Sequence, residues 1–246
     1  MKKQRYILCA SLFINLLFVV FVLRRLYFQY YYYPKCEAET HQQQEKFNKD
    51  PKNSLYFMNK DKLFKDLPNG TNEIIFVGDS HIQNFETSEL LKIPNVINRG
   101  ISGDITRGVY NRLNELTESK PKKIFIEIGV NDLLYNIPME TVMENYNKII
   151  KKIKTDSPGT KIYVHSLLPT SVSSNNKNTS VLPDIILLNQ KLFEMCKKEG
   201  IDYIDLFSIF DLNDGLNPEF DNGDGLHLNG KAYLCWSARL KKYLNE

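Results

Sequence analysis

The stretch Ile74-Ile75-Phe76-Val77-Gly78-Asp79-Ser80-His81 decides how the rest of the chain is interpreted. Four apolar residues in a row are typical of a buried strand, and Gly-Asp-Ser follows where that strand should end. Because ligands bind at the carboxyl ends of strands in open parallel sheets, Ser80 would lie where a substrate binds. A serine after a strand is also a common helix cap or turn residue, so this interpretation depends on partners elsewhere in the chain.

Short apolar runs alternate with amphipathic segments beyond this stretch, which predicts an α/β domain with a parallel sheet. The predicted strands are Glu73–Val77, Asn95–Asn98, Lys123–Ile128, Lys161–Ser166 and Tyr203–Leu206. Helical spacing of apolar residues, with caps and breakers, predicts helices at Asp104–Glu118, Glu140–Thr155, Pro183–Lys198 and after Asn229-Gly230.

Charge and cysteine content exclude several classes of protein. The net charge is +3, but the first 35 residues contain six basic residues and no acid, which leaves −3 for the remainder. A mildly acidic domain lacks the basic surface that binds nucleic-acid phosphates, so we expect no nucleic-acid partner. The four cysteines show neither a CxxC pair nor metal-ligand spacing, and we expect unpaired thiols. They are Cys9, Cys36, Cys196 and Cys235.

The N-terminal segment has the features of a membrane anchor. From Ile7 to Leu23 the chain carries no charge, and at helical rise this run spans about 25 Å, the short end of a membrane crossing. Basic residues flank both ends, and tyrosines in 27–33 fit an interfacial aromatic belt. We predict one uncleaved transmembrane helix with the main domain on the non-cytoplasmic side; secretion after cleavage of a leader is the alternative. The chain then comprises an anchor (1–35), a stalk with a lead-in helix (36–69) and a main domain (70–246).

A nucleophilic serine needs a base, and the base needs an orienting acceptor. Of the four histidines, His41 falls in the polar stalk, and His165 lies within a predicted strand, where we expect it to be buried and hydrogen-bonded. His81 directly follows Ser80, so its side chain should point away from the hydroxyl. His227 lies in a glycine-rich segment before the last helix, with Asp224 three residues earlier, close enough for the carboxylate to reach the imidazole. A cation site at Asp224 is the alternative, although the segment lacks EF-hand spacing.

Two further strand ends supply candidate donors for the oxyanion of an acyl-transfer reaction. The segment Asn98–Asp104 contains two glycines that let a backbone N–H face a ligand, and Gly129–Asp132 offers the side-chain amide of Asn131. The polar segment 171–180 follows the fourth strand, where it could border a binding site or be a solvated loop.

Together these segments resemble the SGNH, or GDSL-type, hydrolase superfamily of serine esterases, whose four sequence blocks occur in the same order. The matching segments are Gly78-Asp79-Ser80, Arg99-Gly100-Ile101-Ser102-Gly103-Asp104, Gly129-Val130-Asn131-Asp132 and Asp224-Gly225-Leu226-His227, within residues 70–244. His81 departs from the pattern, since the family name implies leucine there. The glycine block and the Asn131 block look most like the branch with platelet-activating-factor acetylhydrolase-like and carbohydrate O-acetyl esterases.

The resemblance implies a three-layer α/β/α, flavodoxin-like domain with a five-stranded parallel sheet, and neither a metal nor an organic cofactor. It implies that Ser80 is the nucleophile, His227 the base and Asp224 its orienting partner. The implied oxyanion donors are the backbone N–H groups of Ser80 and Gly103 and the side chain of Asn131.

The sequence therefore predicts a membrane-anchored serine esterase that removes short acyl groups, acetyl above all, from carbohydrate or small lipid-like oxygen esters. Three alternatives stay open: a membrane-anchored polysaccharide O-acyltransferase, a lysophospholipase and a catalytically silent carbohydrate-binding or scaffold domain.

Overall fold

Five parallel strands form the centre of the protein in the computed structural model, which describes residues 19–20, 22–27, 30, 54–172, 180–213 and 215–244. The chain divides into two compact units, Met1–Asp50 and Pro51–Glu246, and the sheet belongs to the second. The strands are β1 (Ile74–Gly78), β2 (Val96–Gly100), β3 (Lys123–Glu127), β4 (Lys161–His165) and β5 (Asp202–Ile204). Their order in the sheet is β2-β1-β3-β4-β5. The prediction of an α/β domain with five parallel strands is thus confirmed.

Helices connect and follow these strands, and we number them from the start of the second unit. They are α1 (Leu55–Asp66), α2 (Ser80–Gln83), α3 (Thr87–Leu91), α4 (Thr106–Asn111), α5 (Leu113–Glu118), α6 (Val130–Leu134), α7 (Met139–Asp156), α8 (Leu182–Glu199), α9 (Phe207–Phe210) and α10 (Gly230–Leu244).

Alternating side chains of the central strands pack into two separate apolar clusters, one on each face of the sheet. On β1, Ile75 and Val77 contact the cluster that α4, α5, α7 and α8 complete. Ile74 and Phe76 point the other way, into the cluster that contains Trp236 of α10. The strands therefore carry apolar residues on both faces, as expected for a parallel sheet covered on both sides by helices. The strand order is that of flavodoxin-like folds.

The N-terminal predictions fall largely outside the described residues. These begin at residue 19, so most of the proposed span 7–23, together with Cys9, Cys36 and His41, lies beyond them. Among the helices that the structure does describe, none combines the length and the apolar character needed to cross a membrane.

One predicted helix, Asp104–Glu118, is broken into α4 and α5 at Arg112. The prediction places Asp104 in an acidic first turn, but α4 begins only at Thr106. The cause is a buried ion pair: the Arg112 Nε donates to Asp104 Oδ2 at 2.9 Å, and the Arg112 Nη2 donates to the carbonyl of Gly78. The arginine is drawn into the protein at the point where the helix bends.

The parallel order places the ends of β1 and β3 side by side, and the connections from these strands run to different parts of the sheet. A crevice forms at such a switch point in open α/β sheets, and ligands bind there. Ser80 follows β1 and Asn131 follows β3, so the fold brings two of the predicted site residues to this crevice.

Candidate active site

Ser80 is the first residue of the short helix α2, directly after β1. Asp79 caps this helix, because its Oδ1 accepts from the backbone N–H of His81 at 3.0 Å. Gly78 ends the strand next to β3, where a Cβ would lie 2.0 Å from the carbonyl oxygen of Glu127. Only glycine fits this close approach of two strands, and the tight turn places the Ser80 side chain at the edge of the sheet.

The structure brings Ser80, His227 and Asp224 into one hydrogen-bonded chain. The His227 Nε2 lies 2.9 Å from Ser80 Oγ, and the His227 Nδ1 lies 2.7 Å from Asp224 Oδ2. An imidazole protonated at Nδ1 would donate to Asp224 and accept the Ser80 proton at Nε2. This is the arrangement in which a histidine acts as general base toward a serine.

Asp224 is held as an acceptor by its own loop. Its Oδ1 accepts from the backbone N–H groups of Leu226 at 2.9 Å and His227 at 2.8 Å. Partial burial raises the pKa of Asp224, but these bonds and the His227 side chain outweigh it and lower the pKa to about 2. The carboxylate therefore stays charged, although its side chain is 49% exposed.

The loop that carries both residues is fixed by bonds to its neighbours. The Asp221 carboxylate accepts from the backbone N–H groups of Gly223 and Gly225, which closes the turn. The carbonyl of Gly225 accepts from the Ser171 backbone at 2.8 Å and from the Thr170 hydroxyl at 2.6 Å. The segment after β4 thus borders the candidate site at its first residues, while positions 173–179 of the predicted polar loop lie outside the described residues.

Asn131 and Gly103 lie on the two strand connections for which oxyanion donors are predicted. The Asn131 Nδ2 donates to the carbonyl of Asp104 at 2.9 Å. A side-chain amide has two N–H groups, so the second remains for an oxyanion. Gly103 has φ = 78°, a left-handed conformation that favours glycine, and this turns the chain between β2 and α4. The Asn131 contact therefore ties the two connections together beside Ser80.

Two buried acids that support this edge have no role assigned from the sequence. Asp104 pairs with Arg112, and its pKa is raised to about 6 because burial outweighs the attraction of the guanidinium. Asp132 accepts from the Thr106 backbone at 2.9 Å and the Thr106 hydroxyl at 2.6 Å, and burial raises its pKa to about 7. An arginine within the apolar stripe of the predicted helix is the sequence signal that could have indicated the first pair.

The other histidines differ in part from expectation. His165 is buried as predicted, but neither ring nitrogen has a hydrogen-bond partner among the described residues, so the predicted hydrogen bond is wrong. Burial among apolar and aromatic groups lowers the pKa of His165 to about 3 and keeps it neutral. His81 points toward the loop of His227, and the two rings are 5.7 Å apart.

A hydrogen-bonded serine, histidine and aspartate at the carboxyl edge of a flavodoxin-like sheet fit a carboxylic ester hydrolase, and comparison with known proteins shows that class. Residues 78–234 match the GDSL-like Lipase/Acylhydrolase family, and the chain belongs to this family. The rat and human platelet-activating factor acetylhydrolase IB subunit alpha2 are each 33% identical to it over 184 residues, which is 71% of this chain and 75% of theirs.

Solved structures show the same fold. A Streptococcus pneumonia protein provisionally described as a platelet activating factor superposes with a TM-score of 0.73 and 24% identity, over 84% of this chain and 99% of its own. A GDSL-like lipase from Bacteroides thetaiotaomicron gives 0.69 and 19%, over 77% and 97%. An acetyl xylan esterase gives 0.59 and 18%, over 70% and 99%.

Proposed function

We propose that this chain hydrolyses short acyl esters, acetyl esters above all, through an acyl-enzyme on Ser80. The observation that carries the proposal is the hydrogen-bonded chain from Ser80 Oγ through His227 to Asp224, with distances of 2.9 and 2.7 Å. The acetyl preference is supported by the relatives at 33% identity, which are named as acetylhydrolases. The substrate class is an acetylated carbohydrate or a small lipid-like ester.

The first half-reaction transfers the acyl group to the enzyme. Ser80 Oγ attacks the ester carbonyl carbon while its proton moves to His227 Nε2, which gives a tetrahedral intermediate. Collapse of the intermediate breaks the bond to the leaving alcohol, and this oxygen takes the proton from His227. In the second half-reaction, water loses a proton to His227 and attacks the acyl carbon, which releases the acid and returns the proton to Ser80.

Three donors are assigned to the oxyanion of both intermediates: the backbone N–H groups of Ser80 and Gly103 and the Nδ2 group of Asn131. Their support is their position on the connections after β1, β2 and β3, three neighbouring strands of the sheet. Donors that are already fixed before the reaction stabilise the developing charge at no cost of reorganisation. The bond from Asn131 to Asp104 fixes one of them.

We further propose that residues 7–23 anchor the chain in a membrane, with the hydrolase domain on the non-cytoplasmic side. The support is the uncharged run and its basic flanks in the sequence. Carbonate extraction of membranes and protease protection of the intact chain test this. Release of the chain by carbonate, or digestion from the cytoplasmic side, would contradict it.

The catalytic proposal is tested with p-nitrophenyl esters from acetate to decanoate. We expect kcat/KM to be highest for acetate and to fall as the chain lengthens, and Ser80→Ala should abolish turnover while the circular dichroism spectrum stays unchanged. A preference for decanoate would indicate a lysophospholipase instead. A sugar acceptor added to the same assay distinguishes acyl transfer, because acetylated sugar would then exceed free acetate.

A further inference from the structure

The side chain that follows the nucleophile contacts the loop that carries the base. The Nε2 of His81 lies 2.9 Å from the carbonyl oxygen of Leu226, the residue directly before His227. The hydroxyl of Tyr233, on α10, donates to the carbonyl of His81 at 3.0 Å. His81 therefore joins the helix of Ser80 to the two segments on either side of His227.

The contact between His81 and the Leu226 carbonyl bears on the distance between His227 and Ser80, which the hydrogen bond between His227 and Asp224 does not determine. The bonds of the Asp224 carboxylate all run to residues 226 and 227, so they fix the geometry within the pair. From the side of β4, Thr170 and Ser171 hold the carbonyl of Gly225. From the side of the nucleophile, the contact is made by His81. Without it, the remaining hydrogen bond between this loop and α2, among the described residues, would be that of His227 with Ser80, beside the apolar packing of Leu228.

Two buried acidic side chains lie beside the His81 ring. The His81 Nδ1 lies 3.6 Å from Glu127 Oε1 and 3.8 Å from Asp79 Oδ1, and all three side chains are at most 1% exposed. Burial and the neighbouring Glu127 raise the pKa of Asp79 well above its ordinary value, so the attraction of His81 is assigned first to Glu127. If Nδ1 carried no proton, its lone pair would face these oxygens. In the imidazolium form both ring nitrogens carry a proton, so Nδ1–H is attracted to these oxygens while Nε2–H donates to the Leu226 carbonyl. Burial lowers the pKa of His81, but Glu127 and then Asp79 outweigh burial and raise it to about 9.

We propose that His81 is a positioning residue for the reaction, which holds the loop of His227 at hydrogen-bonding distance from Ser80 through its bond to the Leu226 carbonyl. Glu127, opposite Gly78 in the register of β3 and β1, keeps the ring in the donating orientation. The proposal rests on the proposed function, since it assigns a role to His81 only if Ser80 and His227 react together.

The test compares two amide substitutions of different length in the full-length protein. In His81→Gln the amide N–H extends about as far as Nε2 and can still donate to Leu226, whereas in His81→Asn it extends only to the position of Nδ1. For each variant we would measure kcat and KM for p-nitrophenyl acetate and the rate of Ser80 labelling by a fluorophosphonate. Thermal melting curves are recorded for each variant, so that every assay is run at a temperature below its unfolding transition.

We expect His81→Asn to lower kcat and the labelling rate by about 10²-fold, the effect of a base displaced by about 1 Å. KM should stay unchanged, because the buried His81 side chain does not face the substrate. His81→Gln should recover most of kcat. Equal kcat values for folded His81→Asn and wild type would overturn the proposal, as would equal losses in both variants.

Two controls distinguish the positioning role of His81 from metal binding and from a failure of the proposed function. The relevant atoms of Asp79, His81 and Glu127 lie within 4.8 Å of one another, so elemental analysis is part of the test. A stoichiometric divalent metal that disappears in Glu127→Gln would overturn the positioning role. If Ser80→Ala keeps full activity, the proposed function itself fails; if only His81→Asn keeps it, the positioning role alone fails.

Discussion

Replacing Arg112 with methionine should destabilise the protein strongly and in a pH-dependent way. The side chains of Arg112 and Asp104 are 2% and 0% exposed, and their Nε–Oδ2 distance is 2.9 Å. Removing one partner of a buried ion pair costs about 3–5 kcal/mol, because it leaves the other charge without compensation. Since about 1 kcal/mol shifts Tm by roughly 2–4 °C in a domain of this size, the Tm should fall by about 6–20 °C.

The pH dependence follows from the protonation of Asp104. Its pKa is already raised to about 6, because burial outweighs the attraction of Arg112, and without the arginine the pKa rises further. A folded-state pKa above that of the unfolded chain means that the folded state holds a proton that the unfolded chain has released. Stability is then lost as the pH rises toward the folded-state pKa. Arg112→Met should therefore lose most stability at pH 8 and least at pH 5.

Urea unfolding of both proteins at pH 5 and pH 8 measures this difference. A matched control is Asp104→Asn in the Arg112→Met background, which should recover stability at pH 8 because an amide needs no counter-charge. The role of the ion pair would be refuted if Arg112→Met were as stable as wild type at pH 8, or if its loss of stability were the same at both pH values.

Three further predictions concern the site. Asp224→Asn should lower kcat by about 10⁴-fold, as expected for the wrong imidazole tautomer, with KM little changed in steady-state assays; a loss below tenfold would contradict its role. Asn131→Ala should lower kcat by about 10²–10³-fold through loss of one oxyanion donor. If the variant instead bound the unreacted ester more weakly by the same factor, Asn131 would be a substrate-binding residue and not an oxyanion donor. The charge on His81 predicts that stability present below pH 6.5 is lost as the pH rises toward 9, by at most about 1.4 kcal/mol per unit. Urea unfolding at pH 7, 8 and 9 should show this slope in wild type. The matched control replaces the whole cluster (His81→Leu with Asp79→Asn and Glu127→Gln), because His81→Leu alone would leave two buried acids without their cation and create a slope of its own; an unchanged slope in the triple variant would contradict the prediction.

The sequence predicts the strands well because their apolar runs are short and end in turn residues. The bounds of β1 to β4 differ from the predicted ones by at most two residues. The edge strand β5 also differs at its end, since the prediction extends it to Leu206 and the strand ends at Ile204. There the Leu206 N–H donates to the hydroxyl of Ser166, a side chain that replaces the sheet partner.

The juxtaposition of Ser80, Asp224 and His227 is predictable because the blocks of sequence that carry them follow strand ends or precede the last helix. The contacts of the buried charged residues around the site cannot be predicted in the same way, because their partners are distant in sequence. Arg112, for example, contacts the carbonyl of Gly78, 34 residues away. Glu127 is recognisable in the sequence as an acid that follows the apolar run of β3. The residue that lies beside it in space, His81, is 46 positions earlier and on another strand connection. Burial of such groups depends on tertiary packing, which no local pattern encodes.

The most direct measurement of the central claim is the site of covalent labelling by a fluorophosphonate probe, read by peptide mass spectrometry of the full-length protein. We expect one phosphonylated residue, Ser80, with labelling lost in Ser80→Ala and strongly slowed in His227→Ala. Labelling of a different residue, or hydrolysis of p-nitrophenyl acetate by Ser80→Ala at the wild-type rate, would contradict the assignment of Ser80 as the nucleophile.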